Sequence, residues 1–238
     1  FIILTDNNNF ILMNEESEKN NTAIVSIFKS TLIRNVLLTI SAIALFFSGV
    51  LVYGVILKMR EVPLKDAMLN KGFRKLENVN IIVDRRNYTL NVYEDTVLIK
   101  SYRASFGRNL ADKKKKFDDG ATPVGTYKIC SVVNDKNYYK FVKISYPNLE
   151  DASEALRKSF ITQKEFNQIK FEYYYEECVS YNQVLGGNIG IHGIGRLNSI
   201  FKNLPFVYNW TDGSIALSNE DLDEILTVIK PGTQIVIR

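Results

Sequence analysis

An uncharged segment at residues 36–57 restricts the fold of this chain more than any other feature, because its side chains are almost all apolar. At about 1.5 Å per residue a helix of this length spans roughly 30 Å, which is the thickness of one bilayer core. A cleaved signal peptide is the competing interpretation. The apolar run is long for one, however, and no small-x-small cleavage site precedes Lys58. The sequence therefore predicts a transmembrane signal anchor over residues 35–57.

The anchor separates regions of different composition. Residues 1–34 are a polar mixture, predicted as an N-terminal tail. Residues 58–77 form a charged linker that we expect to be partly helical. From residue 78 to residue 238 short β-prone runs follow one another, and no internal repeat is visible. We therefore expect one domain over residues 78–238.

The pattern in this domain predicts a mainly β fold with a few peripheral helices. Residues 81–83, 89–93 and 96–100 are separated by turn-forming residues and predict an antiparallel meander. Further strands are predicted at residues 102–106, 125–133, 139–145, 188–192 and 233–238. Helices are predicted at residues 151–158 and 222–229, the second capped by Ser218 and stopped by Pro231.

Composition excludes some classes of function. With 46% hydrophobic and 24% charged residues the chain is an ordinary globular protein. A net charge of +4 is too small and too mixed in sign to indicate a nucleic-acid partner. The four lysines at 113–116 are predicted as a solvated loop, the alternative being a lip that attracts an acidic substrate.

His192 is the only histidine of the chain, and it lies between a short apolar run and Gly193. Imidazole exchanges a proton near neutral pH, so this position is a candidate catalytic base, although a packing role is the plain alternative. One histidine and two cysteines outside metal-ligand spacing cannot build a zinc site. Cys130 and Cys178 are either a disulfide pair or, for Cys130, a buried strand residue.

Several glycine-containing motifs follow one another in a fixed order. They are FGR at residues 106–108, DGATPVGTY at 119–127, IHG at 191–193, TDGSIAL at 211–217 and PGT at 231–233. In this order they resemble the L,D-transpeptidase catalytic domain (YkuD-like) family, in its murein branch. In that branch the nucleophile motif is W-T-x-G-C-I-A, followed by a short helix and G-T-x-I-x-I. The resemblance covers about residues 78–238 and implies an L,D-transpeptidase-like β-sandwich or barrel.

The resemblance implies roles for individual residues. His192 corresponds to the general base, and the carbonyl of Gly193 takes the place of the group that orients the imidazole. Ser214 stands where the family has its catalytic cysteine. The amides of Gly213 and Ser214 are the natural oxyanion donors. Trp210, Thr211 and Asp212 complete the motif as substrate-binding candidates. This sequence departs from the family pattern at two positions: Asp212 replaces a residue that is often histidine in other branches, and Ala216 replaces a frequent arginine.

Serine at position 214 leaves the activity open. A hydroxyl is far less acidic than a thiol and needs a well-oriented base, usually supported by a buried carboxylate. Asp212 is too close in sequence to reach the far side of His192, and the segment does not fit the G-x-S-x-G elbow of serine hydrolases. Three interpretations remain: an engineered replacement of cysteine, a natural pseudoenzyme, or a weak working nucleophile.

The resemblance implies a membrane-anchored enzyme of peptidoglycan that acts on stem peptides by ping-pong acyl transfer, with roles in cell-wall biogenesis and cell shape. Such transfer needs no metal and no cofactor. The inner-membrane lipid would be contacted through the single helix. The positive-inside rule alone would place the large domain in the cytoplasm, but the substrate places residues 58–238 in the periplasm or at the outer face. The alternative is a non-catalytic peptidoglycan-binding pseudoenzyme or scaffold.

Overall fold

The computed structural model describes residues 7–110, 113–176, 178–179, 184–204 and 206–238, with side chains described from residue 29 onward. The chain forms two units, divided between Val52 and Tyr53. In chain order the helices are α1 (Asn7–Met59), α2 (Leu64–Asn70), α3 (Leu149–Arg157), α4 (Gln163–Tyr175), α5 (Asn198–Phe201) and α6 (Asn219–Leu226). The strands are β1 (Val79–Asp84), β2 (Thr89–Glu94), β3 (Val97–Arg103), β4 (Gly125–Asp135), β5 (Tyr139–Ile144), β6 (Gly190–Gly193), β7 (Ile215–Leu217) and β8 (Gln234–Ile237).

Helix α1 contains the apolar segment. Its segment Lys29–Met59 is long and apolar enough to cross a membrane, and an 18-residue window within it has a mean hydropathy of 2.4. Large apolar side chains such as Leu45 and Phe46 are exposed on it, as a lipid-facing helix requires. The helix already begins at Asn7 and so includes part of the predicted polar tail. The predicted boundaries at residues 34 and 57 stay predictions.

The eight strands form one mixed sheet in the order β3-β2-β1-β8-β4-β5-β6-β7. Strand β4 pairs with β8 through its first residues and with β5 through its last, with a register shift between Ile129 and Ser131. A pair of hydrogen bonds between Ser105 and Ala216 joins β7 at one edge to the residues that follow β3 at the other edge. The sheet therefore closes, and the predicted mainly β sandwich or barrel with peripheral helices is confirmed.

One hydrophobic core fills the interior of the closed sheet. Its fully buried residues come from both halves, for example Ile81 and Ile235 from one half and Ile191 and Ile215 from the other. The predicted meander is present as β1–β3, but the strand predicted at 102–106 ends at Arg103. Beyond that residue the chain leaves β2 and hydrogen-bonds β7 through Ser105 instead.

A small second core lies under α3 and α4 and contains Ala152, Ile169 and Leu185. Helix α3 begins earlier than predicted, because Asn148 is its N-cap and Asp151 completes a capping box from within the first turn. Helix α4 is absent from the sequence interpretation. Its polar and aromatic residues give no regular apolar stripe, and its hydrophobic contacts are few.

A disulfide joins Cys130 in β4 to Cys178, which follows α4, with their Cα atoms 5.5 Å apart. Cys130 is also buried, so it is both a disulfide partner and a buried strand residue. The lysine run is not wholly a solvated loop. Lys114 is 5% exposed, because its ammonium group donates to Asp119 Oδ1 at 3.0 Å and to the carbonyl of Lys116 at 3.1 Å.

Candidate active site

His192 lies in the short strand β6, between β5 and β7, and its side chain is 3% exposed. Its Nδ1 is 2.8 Å from the carbonyl oxygen of Gly193. Because a carbonyl only accepts hydrogen bonds, Nδ1 carries the proton, and Nε2 of the neutral ring keeps the lone pair that a base needs. Burial lowers the pKa of His192, opposed by the hydrogen bond to Gly193 and by the charge of Asp135.

Gly193 is held where a larger residue would not fit. A Cβ atom at this position would lie 2.5 Å from Asn219 Oδ1 and 3.0 Å from the carbonyl oxygen of Tyr138. The backbone of β6 therefore passes close to both the β4–β5 turn and the start of α6. This close approach fixes the carbonyl that binds the imidazole.

Ser214 directly precedes β7, and its Oγ accepts a hydrogen bond from the N–H of Gly190 at 3.3 Å. Strands β6 and β7 are parallel, and His192 is paired with Ala216. Ser214 is two residues before Ala216, so its side chain points to the same face as that of His192. Strand spacing and rise place their Cα atoms about 8 Å apart as diagonal neighbours.

Both residues line one open cavity of about 370 Å³. Of the predicted site residues, this cavity also contains Trp210, Thr211 and Asp212. The rings of His192 and Trp210 meet edge to face, with their centroids 5.5 Å apart. The structure thus brings together five side chains that the sequence places in two separate motifs.

Residues of the FGR and DGATPVGTY motifs form hydrogen bonds with one another and with residues 210–214, the segment that ends at Ser214. Arg108 N–H donates to the carbonyl of Thr211 at 3.0 Å, and Gly107 N–H donates to Thr122 Oγ1 at 2.9 Å. The Arg108 side chain forms an ion pair with Asp212 at 2.6 Å, on the exposed side of the segment. The carboxylate of Asp212 is therefore bound to arginine, and the expectation that it would not support His192 agrees with this contact.

The turn before Ser214 is organised by Thr211. Its hydroxyl donates to the carbonyl of Ser214 at 2.6 Å and accepts from the N–H of Gly213 at 3.3 Å. Gly213 has a φ of +127°, and a Cβ there would lie 2.6 Å from the carbonyl oxygen of Ala121. The amide of Gly213 is thus bound to Thr211 in this state, and its predicted role as an oxyanion donor stays a prediction.

The β4–β5 hairpin supplies the part of the cavity that sequence reasoning missed. Tyr138 lies with its ring centroid 4.7 Å from that of His192, and Phe141 stacks on the imidazole at 6.4 Å. Asp135 Oδ1 accepts the N–H groups of Asn137 and Tyr138, both at 2.7 Å, and these bonds lower the pKa of its carboxyl. Asp135 therefore fixes the turn that carries Tyr138.

The turn-forming sequence at residues 134–137 could have predicted this hairpin, but no local signal relates it to a histidine more than 50 residues later. Val133 and Asn188 also line the cavity without a sequence signal. Among the described residues, no group of three or more His, Cys, Asp or Glu side chains is arranged to hold a metal ion.

The model of the YkuD family, the L,D-transpeptidase catalytic domain, matches residues 78–237. The chain belongs to this family. The match includes all eight strands and every motif residue named above, so the YkuD domain is the whole sheet domain. No curated protein matches the chain.

Among solved structures, the chain is similar to the helical cell shape determining protein Pgp2 from Campylobacter jejuni, with 21% identity, coverage of 73% of this chain and 55% of that chain, and a TM-score of 0.46. Bd1075 from Bdellovibrio bacteriovorus is 21% identical, with coverage of 68% of this chain and 48% of that chain and a TM-score of 0.43. An L,D-transpeptidase from Xylanimonas cellulosilytica is 12% identical, with coverage of 74% of this chain and 70% of that chain and a TM-score of 0.41. The chain spans about half the length of the first two proteins.

Proposed function

We propose that this YkuD domain is a peptidoglycan L,D-transpeptidase or L,D-peptidase whose base is His192 and whose nucleophile position is residue 214. One observation carries the proposal: His192, oriented by the Gly193 carbonyl, and Ser214 are diagonal neighbours on one face of β6 and β7 and line one cavity. A base and a nucleophile in such an arrangement can cooperate in acyl transfer.

With a thiol at position 214, the chemistry has two halves. Nε2 of His192 takes the thiol proton, and sulfur attacks the carbonyl carbon of the stem-peptide residue at the L-centre. The C–N bond to the following D-residue breaks, and the imidazolium returns its proton to the leaving amine. In the second half the acyl group passes to another stem amine or to water. The backbone N–H groups of the Gly213 turn would stabilise the oxyanion after a small rearrangement.

With Ser214 the first proton transfer is much harder, because the hydroxyl is a poorer acid and, among the described residues, His192 Nδ1 is bound to the Gly193 carbonyl rather than to a carboxylate. We therefore propose that the chain as written turns over slowly or not at all. A specific observation also favours the second candidate, a peptidoglycan-binding pseudoenzyme. The Ser214 hydroxyl already accepts the Gly190 N–H, so its oxygen is held by the fold rather than by His192.

The domain is proposed to lie outside the cytoplasm and to be anchored by α1. The apolar length of Lys29–Met59 supports the anchor. The Cys130–Cys178 disulfide supports an oxidising compartment, since such bonds persist there and are rare in the cytosol. The disulfide argues against the cytoplasmic placement that the flanking lysines alone would give.

The test is the Ser214→Cys variant of the full chain, incubated in detergent with a purified stem tetrapeptide and an acceptor amine. We expect release of the terminal D-amino acid and a new linked product. Since Cys130 and Cys178 are paired, an alkylating agent should label position 214 alone. A folded Ser214→Cys protein that neither turns over nor binds stem peptides would refute the proposal. Binding by the serine form without turnover in either form would favour the pseudoenzyme.

A further inference from the structure

The end of α4 exposes four aromatic side chains within five residues. Phe171, Tyr173, Tyr174 and Tyr175 are 56%, 40%, 62% and 78% exposed. Their rings pack on one another: those of Phe171 and Tyr175 are 4.9 Å apart, and those of Tyr173 and Tyr174 are 5.4 Å apart. Clustered exposed aromatic surface marks a binding site more often than isolated apolar residues do.

Two of these rings line a cavity. Tyr173 and Tyr174 line an open cavity of about 320 Å³, which is at the lower end of the size range of small-molecule sites. Val179 and Ile129 also line it. The disulfide from Cys130 holds the segment after α4 against β4, and both of these segments contribute residues to the lining.

The polar groups of this cavity are few and balanced in charge. Lys128 and Glu176 are the only charged side chains among the described residues that line it. The floor is rigid, because Lys128 N–H donates to Ser145 Oγ and Ser145 N–H donates to the carbonyl of Lys128, both at 2.9 Å. One cation and one anion favour a neutral ligand over a phosphate or an acidic peptide.

The cavity faces the same side of the sheet as the candidate active site. Phe141 lines the cavity of His192, and Ser145 lines the aromatic cavity. Ser145 directly follows β5 and lies four positions after Phe141, so with continued strand alternation the two side chains point to the same face, about 13 Å apart along the chain. An elongated ligand could therefore contact both cavities at once.

We propose that the cavity of Tyr173 and Tyr174 binds the neutral sugar rings of the glycan strand while the attached stem peptide lies at His192. A sugar ring presents a face of C–H groups, which packs on an aromatic ring, and a rim of hydroxyl groups, which bond to polar side chains such as Lys128 and Glu176. The identity of the sugar polymer rests on the proposed function, but binding of a neutral saccharide does not.

The direct test titrates the full chain in detergent with the tetrasaccharide of N-acetylglucosamine, measured by calorimetry. We expect Tyr173→Ala and Tyr174→Ala each to raise the Kd about fivefold or more, because each removes one stacking ring. Tyr174→Phe keeps the ring and should retain most of the affinity. Tyr175→Ala is the matched control, since Tyr175 lies on the same helix outside the cavity, and it should leave the Kd unchanged. Absence of saccharide binding, or an equal loss with Tyr175→Ala, would overturn the proposal.

A lipid surface is the competing occupant of exposed tyrosines. Hydrogen exchange at the end of α4 distinguishes the two in the full chain. Protection on adding the tetrasaccharide in detergent supports the sugar site. Protection that comes only with transfer into phosphatidylethanolamine–phosphatidylglycerol nanodiscs, without saccharide, would overturn it.

A kinetic comparison separates this inference from the proposed function. In the Ser214→Cys background, Tyr174→Ala should raise the KM for a disaccharide-linked stem peptide and leave the KM for the sugar-free tetrapeptide unchanged. Turnover of both substrates with no effect of Tyr174→Ala would overturn the sugar site and leave the proposed function standing. If neither substrate is turned over, the proposed function fails and the saccharide titration alone decides the sugar site.

Discussion

The two ends of the β4–β5 hairpin are built in different ways. At the turn end, Asp135 fixes Tyr138 through backbone hydrogen bonds, and Tyr138 and Phe141 pack on His192. At the other end, a disulfide between residues 48 positions apart joins β4 to the segment after α4. At the turn end, non-covalent ring contacts orient the side chain of His192. The other end uses a covalent bond to stabilise a small core.

This difference separates chemistry from stability along a single pair of strands. Changes at the turn end should alter proton transfer more than folding, whereas changes at the open end should alter folding more than proton transfer. Each prediction below tests one side of this separation.

The largest effect is expected from removing the base. In the Ser214→Cys background, His192→Ala should lower turnover of a stem peptide by about 10²- to 10⁴-fold, the usual contribution of general base catalysis. Steady-state kinetics measures this loss, and circular dichroism checks that the variant is folded. Retention of more than a tenth of the activity would mean that another group takes the proton.

Removing the cross-link should come next. Replacing both Cys130 and Cys178 with serine should lower the free energy of unfolding by about 2–4 kcal/mol, because the unfolded chain gains freedom over a long loop. Denaturant unfolding of the full chain measures the loss, and reduction of the unaltered protein is the matched comparison. Alkylation of a cysteine at 214 should keep its rate in this background. A large drop in that rate would break the separation between the two ends.

A smaller effect is expected when one ring at the turn end is removed. Tyr138→Leu should lower the free energy of unfolding by only about 1 kcal/mol, the size of an aromatic pair contribution, since Tyr138 is 41% exposed. It should also lower turnover in the Ser214→Cys background, though less than His192→Ala does. Tyr175→Leu, at the end of α4, is the control and should not change turnover. Equal turnover in both variants would show that Tyr138 does not orient the base.

The smallest effect concerns charge alone. Asp135→Asn keeps an oxygen that can accept the two N–H bonds but removes the negative charge that raises the pKa of His192. The pKa of His192 should therefore fall further below 6.5. Because the chain has one histidine, its NMR signal reports this value directly. An unchanged or higher pKa would contradict the electrostatic role of Asp135.

The lowered pKa of His192 also makes the free energy of unfolding depend on pH. The folded protein binds the His192 proton less readily than the unfolded chain, so His192 opposes folding when the proton is present. Its stabilising contribution is full above the unfolded value near 6.5 and is lost as the pH falls from there towards the lower folded pKa. His192→Gln should flatten this part of the stability profile, and a matching profile in both proteins would refute the assignment.

The sequence predicts those features that depend on local patterns. The alternating runs predict β1 and β2, whereas the joint site of His192 and Ser214 is implied by the resemblance of the glycine motifs to the YkuD family. The contacts of Tyr138, Phe141 and Asp135 with His192 could not be predicted, since they depend on the pairing of β5 with β6 across a long separation. The pairing of Cys130 with Cys178 depends in the same way on where α4 ends.

The closure of the sheet at Ser105 limits how a peptide can be held beside the nucleophile. The outer edge of β7 would otherwise be open to strand addition, the mode in which many proteins bind extended peptides and in which exposed edges aggregate. Ser105 occupies it, donating to and accepting from Ala216 at 2.9 and 2.8 Å. An extended peptide therefore cannot pair with β7 at Ala216, and under the proposed function a stem peptide would be recognised through side chains and the turn at Gly213. Strand-mimicking inhibitors should accordingly fail against this domain.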